Sequence, residues 1–181
     1  MDNLLDQTSR FVQLMITNAQ QACIREVGVI TQMITGQQLA DTVHAVLPSM
    51  QVTLNDEKYA ITSFASWQKI IALDWTARKK YMADTFDCDN FSDAFRAHVS
   101  EIYNLNSAGS FHCIVQADNG TVNKTGHRAV LIVALDGYNQ LALYAYESEN
   151  EGISKVVLGQ GIRIPVFSTF WNYTPLDAAF N

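Results

Sequence analysis

Three side chains, far apart along the chain, have the types and local settings that nucleophilic catalysis needs: Cys88, His127 and Glu147. A thiol attacks as its thiolate, so it needs a base to take its proton and a third group to orient that base. Cys88 lies in Phe86-Asp87-Cys88-Asp89-Asn90-Phe91, just ahead of a helical pattern. There the positive end of the helix dipole favours the anion, whereas Asp87 and Asp89 oppose it, so a nearby imidazolium decides the balance. His127 follows Gly126 at the entrance to a strand, which places a base on a rigid element. Glu147 ends the next strand. His127 stands nine residues before Asp136 and Glu147 eight after Asn139, so a hairpin turning at 136–139 sets the two side chains opposite each other.

Each residue also has a plainer reading. A cysteine near a helix start serves as a small buried hydrophobe, a histidine at a strand start as a surface residue, and a strand-end glutamate as a solvated one. The order helix-cysteine, strand-histidine, next-strand-glutamate is what singles out the three together. Of the other histidines, His98 falls on an apolar helix stripe and reads as a core residue, and His44 belongs to the N-terminal segment. His112 and Cys113 are neighbours on a strand and point to opposite faces, which argues against a metal site built from them with His127.

The elements that must position these residues follow from periodicity. Apolar residues at helical spacing over 8–25, with Thr8 or Ser9 as cap, predict a first helix; the pattern continues weakly through Ile30 and Met33 to Gly36. A second helix over 37–46 ends ahead of Pro48. Extended pieces at 51–54 and 59–61 flank the turn signal Asn55-Asp56. Ser63 caps a helix carrying Phe64, Trp67, Ile70 and Ile71, and another runs from Thr76 to about 84. Phe91, Ala94, Phe95, His98, Val99 and Ile102 form one stripe of a further helix, capped by Asp89 or Asn90. Strands are expected at 111–117, 127–135, 140–147, 155–158 and 162–167, separated by Asn-Gly, Asp-Gly and Gly-Gln-Gly breaks. Helices followed by antiparallel strands predict an α+β fold with helices packed on one face of a sheet. The seam at Pro48 and Ser49 divides a helical N-terminal extension, 1–47, from the main domain, 48–181.

Composition narrows the function classes. With 181 residues, 48% of them hydrophobic and 17% charged, the chain is of ordinary globular make-up and can bury a core unaided. Twelve basic against 18 acidic residues give a net charge of −6, which excludes nucleic acid as the expected partner. Cys23, Cys88 and Cys113 are odd in number and form no CxxC pair, so no disulfide framework is expected. There is no basic, apolar leader at the start and no apolar run of membrane-spanning length. The expectation is a cytoplasmic or virion-associated protein with no membrane partner.

These motifs resemble a known family. The segments 86–91, 126–129 (Gly-His-Arg-Ala) and Tyr146-Glu147 are similar to those of papain-like cysteine hydrolases, and more closely to the C-terminal protease domain of the Marasmius oreades agglutinin and its bacterial and phage relatives. The likeness covers roughly 50–170, including the lead-in from Tyr59 through Trp67 to Tyr81. It implies a papain-like fold and a Cys-His-Glu triad, with Cys88 as nucleophile, His127 as base and Glu147 as orienter. The substrate would be a peptide or another acyl group. An oxyanion would be met by the Cys88 backbone N–H and by an upstream donor for which Gln68 is a candidate. The resemblance also implies calcium, although Asp87 and Asp89 alone fall short of the six oxygens that ion takes. Two departures stand out. A helical segment replaces the agglutinin's sugar-binding domain, so no carbohydrate binding is inferred. Arg128 follows the histidine, where its charge would disfavour the imidazolium. The alternative expectation is a catalytically inactive structural or assembly protein that retains the fold, associating with itself or a partner through the N-terminal helices and the aromatic tail at 170–173.

Overall fold

The computed structural model describes residues 2–83, 85–120 and 123–180. The elements, in chain order, are α1 (Asp2–Val27), β1 (Gln32–Thr35), α2 (Gly36–His44), β2 (Gln51–Leu54), β3 (Lys58–Ile61), α3 (Phe64–Leu73), a single 3-10 turn at Thr76–Arg78, and α4 (Cys88–Tyr103). Six strands complete the chain: β4 (Ala108–Ala117), β5 (Asn123–Leu135), β6 (Leu141–Glu147), β7 (Gly152–Lys155), β8 (Ile162–Val166) and β9 (Thr169–Phe180). The fold is α+β, with helices packed on a seven-stranded sheet of order β2-β9-β4-β5-β6-β7, to which β8 is added along β9. Its pairings are antiparallel apart from β2 with β9. β1 and β3 pair separately.

The two-residue period of a strand builds two cores, one on each face of this sheet. On β5, Ala129, Leu131 and Val133 join a cluster with Phe111, Cys113, Trp171 and Tyr173. Their alternates Val130, Ile132 and Ala134 join a second cluster with Trp67, Phe95, Val99 and Tyr146. β5 from Ala129 onward and β6 are therefore near-continuous apolar runs, as strands buried on both faces must be. Phe95 packs against Tyr146 with ring centroids 4.6 Å apart, and Phe64 stacks on Tyr144 at 3.9 Å. α3 and α4 are thereby fixed over the sheet.

Local chemistry sets most helix ends. The Ser63 hydroxyl accepts the Ser66 N–H at 3.1 Å, as expected. Thr35 and Gln38 cap α2 reciprocally, each side chain accepting the other's backbone N–H. α1 ends at Gly28, whose φ of +67° only glycine adopts freely.

Three expectations are corrected. Residues around Met33 form β1, not a continued helix, because β3 supplies a partner that sequence-local periodicity does not register. Leu39 and Val43 of α2 are buried in the same cluster as Phe111 and Leu131. The helix expected from Thr76 shrinks to one 3-10 turn; Asp84, its expected end, lies outside the described residues. The aromatic tail is strand β9 in the middle of the sheet, where Trp171 and Tyr173 are buried by their own chain.

β7 meets β8 through Gly152, which pairs with Glu147. A Cβ there would overlap the Pro165 carbonyl oxygen and come within 2.7 Å of Ile164 Cγ2. Gly152→Ala is therefore expected to lower stability by about 1–3 kcal/mol through overpacking, read as an earlier urea midpoint at unchanged slope.

Candidate active site

Cys88 is the first residue of α4, with Asp87 as its N-cap, two residues earlier than the expected start. The apolar stripe begins only at Phe91, so periodicity placed the helix late. The Asp87 N–H donates to Asn90 Oδ1 at 3.2 Å, and Asp89 Oδ1 accepts the Asn90 N–H at 3.1 Å. Phe95 and Val99 anchor α4 on the sheet, while Ser92 Oγ lies 3.5 Å from the Ala129 carbonyl oxygen. One helical turn back from Ser92 is Cys88, and two strand residues back from Ala129 is His127. These steps are about 6 and 7 Å, so the register that seats Ser92 also carries the sulfur toward the imidazole. A ring nitrogen of His127, the Cys88 sulfur and a Glu149 carboxylate oxygen lie within 4.8 Å of one another.

His127 Nε2 is 2.7 Å from Glu147 Oε2, and both side chains are fully buried. The pairing of β5 with β6 ends at Val130 opposite Tyr146. Continued, that register sets Glu147 opposite Ala129, so the contact with His127 is diagonal rather than face to face. Tyr173 donates its hydroxyl to the same carboxylate oxygen at 2.8 Å, and the Glu149 N–H donates to Oε1 at 3.3 Å. An ionised carboxylate only accepts. Nε2 therefore carries a hydrogen, and Nδ1, buried without an oxygen or nitrogen partner among the described residues, remains to exchange a proton with the sulfur. Trp171 and Tyr173 rings wall the imidazole at centroid distances of 6.3 and 6.0 Å.

Electrostatics favour a protonated ring. Burial disfavours the imidazolium, but the Cys88 sulfur and the Glu147 carboxylate outweigh it and raise the His127 pKa to about 9. Burial beside Glu147 pushes the Tyr173 phenol far up, which keeps it a hydrogen-bond donor. The Cys113 thiol is likewise pushed up, chiefly by burial; it is wholly enclosed and donates to the His127 carbonyl oxygen at 3.4 Å. Of the three thiols, Cys23 and Cys88 are half-buried, and Cys88 lies beside the His127 imidazole.

The remaining polar residues fall elsewhere. Arg128 does not act on His127: strand alternation turns it to the opposite face, where it donates to His112 Nε2 at 3.0 Å and to Asp93 at 3.3 Å. Since a guanidinium only donates, His112 Nε2 accepts, and its Nδ1–H donates to Asp177 at 2.8 Å. His98 meets the buried Asp74 at 2.8 Å. Gln68 is exposed on α3. A hydrogen bond from Asp87 holds the Asp89 carboxyl below the usual range, so these two acids serve the helix start and each other. Two carboxylates with a sulfur, nitrogen and oxygen set beside them do not fit calcium, which takes six or more oxygens. Two site residues escape the sequence reading. Glu149 was legible as an acidic residue two beyond Glu147, in the turn that follows β6; Tyr173 was not, because it depends on β9 returning beside β4.

An α+β fold of this kind has counterparts among solved structures. PSL1a in complex with E-64 superposes with a TM-score of 0.57 at 16% identity, over 82% of this chain and 51% of that one. Polyporus squamosus lectin bound to the human-type influenza-binding epitope Neu5Acα2-6Galβ1-4GlcNAc gives a TM-score of 0.56 at 16% identity, over 82% and 49%. The chain thus spans about half the length of these lectin chains, and the likeness is one of fold. No protein-family model and no curated protein matches the sequence.

Proposed function

We propose that the protein is a papain-like cysteine hydrolase, akin to the protease domain of the Marasmius oreades agglutinin, acting on a peptide or another acyl substrate. The observation that carries this reading is the buried His127–Glu147 pair with the Cys88 sulfur beside it. His127 Nδ1 already holds the proton when the Cys88 sulfur attacks the substrate carbonyl, and the Cys88 N–H at the first helical position faces the developing oxyanion. The proton then passes from His127 to the leaving amine or alcohol. A water deprotonated by His127 next hydrolyses the thioester and restores the thiol. Glu147 keeps the ring in one orientation throughout, and Tyr173 keeps Glu147 in place.

The test is alkylation. Iodoacetamide, or E-64 whose epoxide a thiolate opens, should label Cys88 well before Cys23 and Cys113 at neutral pH. His127→Ala should slow that labelling by about a hundredfold. Equal, slow labelling of all three cysteines would sink the proposal.

A second reading concerns α1. Phe11 is 62% exposed, and Val12, Leu14 and Met15 are each at least half exposed, although they form an apolar run on one helix. Such a run marks an assembly surface, for self-association or a partner protein. The expected result is an oligomer by sedimentation that Phe11→Glu with Met15→Glu converts to a monomer. A wild-type chain already monomeric at high concentration removes the reason for this reading.

A further inference from the structure

The cluster of Cys88, His127 and Glu149 has a property that acyl transfer does not use. Its three donor atoms, one sulfur, one nitrogen and one oxygen, converge within 4.8 Å. In a tetrahedral zinc shell, bond lengths of about 2.0–2.3 Å place donors about 3.5 Å apart, so modest rotation of the half-buried Cys88 and Glu149 side chains closes the set. The nitrogen is already prepared. Nδ1 is buried with no oxygen or nitrogen partner among the described residues, while Nε2 is tied to Glu147 at 2.7 Å. A carboxylate behind a ligating imidazole is the usual outer support of a zinc-bound histidine. Cys113 is excluded as a ligand, since its thiol is enclosed and turned to the His127 carbonyl oxygen.

We propose that Cys88, His127 and Glu149 form a three-ligand site for a zinc-class divalent cation, with a fourth position open, and that the cation and an acyl substrate compete for the same sulfur. Binding joins the metal to sulfur, Nδ1 and a Glu149 oxygen, and any proton on the sulfur or on Nδ1 leaves to water. A bound ion holds the sulfur's lone pair, so the metal-loaded protein is the resting form and chelation releases the nucleophile. As a regulatory device this rests on Cys88 being the nucleophile; as a metal site it stands apart from that reading.

Cobalt(II) chloride serves as the spectroscopic probe and zinc chloride as the competitor, both added to the full chain. One equivalent of cobalt should give a thiolate-to-cobalt charge-transfer band that zinc displaces and that Cys88→Ser abolishes. Glu149→Gln should weaken zinc at least about tenfold by calorimetry, with circular dichroism confirming that each variant is folded. No band in the wild type, or unchanged zinc affinity in Glu149→Gln, overturns the site. Labelling of Cys88 by iodoacetamide separates the two proposals. Fast labelling that saturating zinc does not slow overturns the metal site and leaves the hydrolase. Slow labelling in chelator with an intact cobalt band supports the metal site and removes the hydrolase.

Discussion

Glu147→Ala is expected to destabilise the fold by about 3–5 kcal/mol, the cost of removing one member of a buried charged pair. The carboxylate is wholly enclosed and satisfies His127 Nε2, the Tyr173 hydroxyl and the Glu149 N–H together. Its loss strands three donors and leaves the imidazolium with the Cys88 sulfur alone of the two groups that stabilised its charge. Chemical denaturation reads the effect directly. Tyr173→Phe is the control: it removes one donor and leaves the pair, so its cost should be about 1 kcal/mol. A Glu147→Ala variant no less stable than Tyr173→Phe would mean that the pair is not buried as described. Glu147→Gln keeps the shape and an accepting oxygen, so it should fall between the two in stability while still slowing alkylation of Cys88.

Stability should also fall as pH rises from about 6 to 9. In the unfolded chain His127 titrates near its ordinary value of about 6.5, whereas in the folded protein it titrates at about 9. Between those values the native state holds a proton that the unfolded state has released, so raising the pH favours unfolding. The contribution is complete below about 6.5, has lost about 2 kcal/mol by pH 8, and is gone above the folded value. Cys113, also raised, adds a decline only above the ordinary thiol range of about 8.5. Comparison at pH 6 and pH 8 therefore isolates the histidine. Wild type should lose stability over that interval and His127→Gln should not; parallel behaviour of the two would place the imidazole's proton elsewhere.

Much of the scaffold was legible because its causes are local. The period of α4, the Ser63 cap and the turn at 136–139 depend on residues within a few positions of each other. Cys88, His127 and Glu147 were legible as types in their settings, and the His127–Glu147 contact followed from hairpin arm lengths. The strand register came out diagonal, a difference that arm counting cannot resolve because side chains two positions apart share a face.

Other features required the closed fold. Met33 reads as helix until β3 lies beside it, and Phe170 to Tyr173 reads as an unpaired tail until β9 runs there between β8 and β4. Arg128 reads as a threat to the imidazolium until the pleat turns it toward His112. The residue types, their order and the local helix and turn signals belong to the sequence alone. Which groups meet in the interior is set by strand pairing across long separations, where burial and mutual hydrogen bonding, not neighbouring residues, choose the partner; Tyr173 on Glu147 and Glu149 beside Cys88 are decided there.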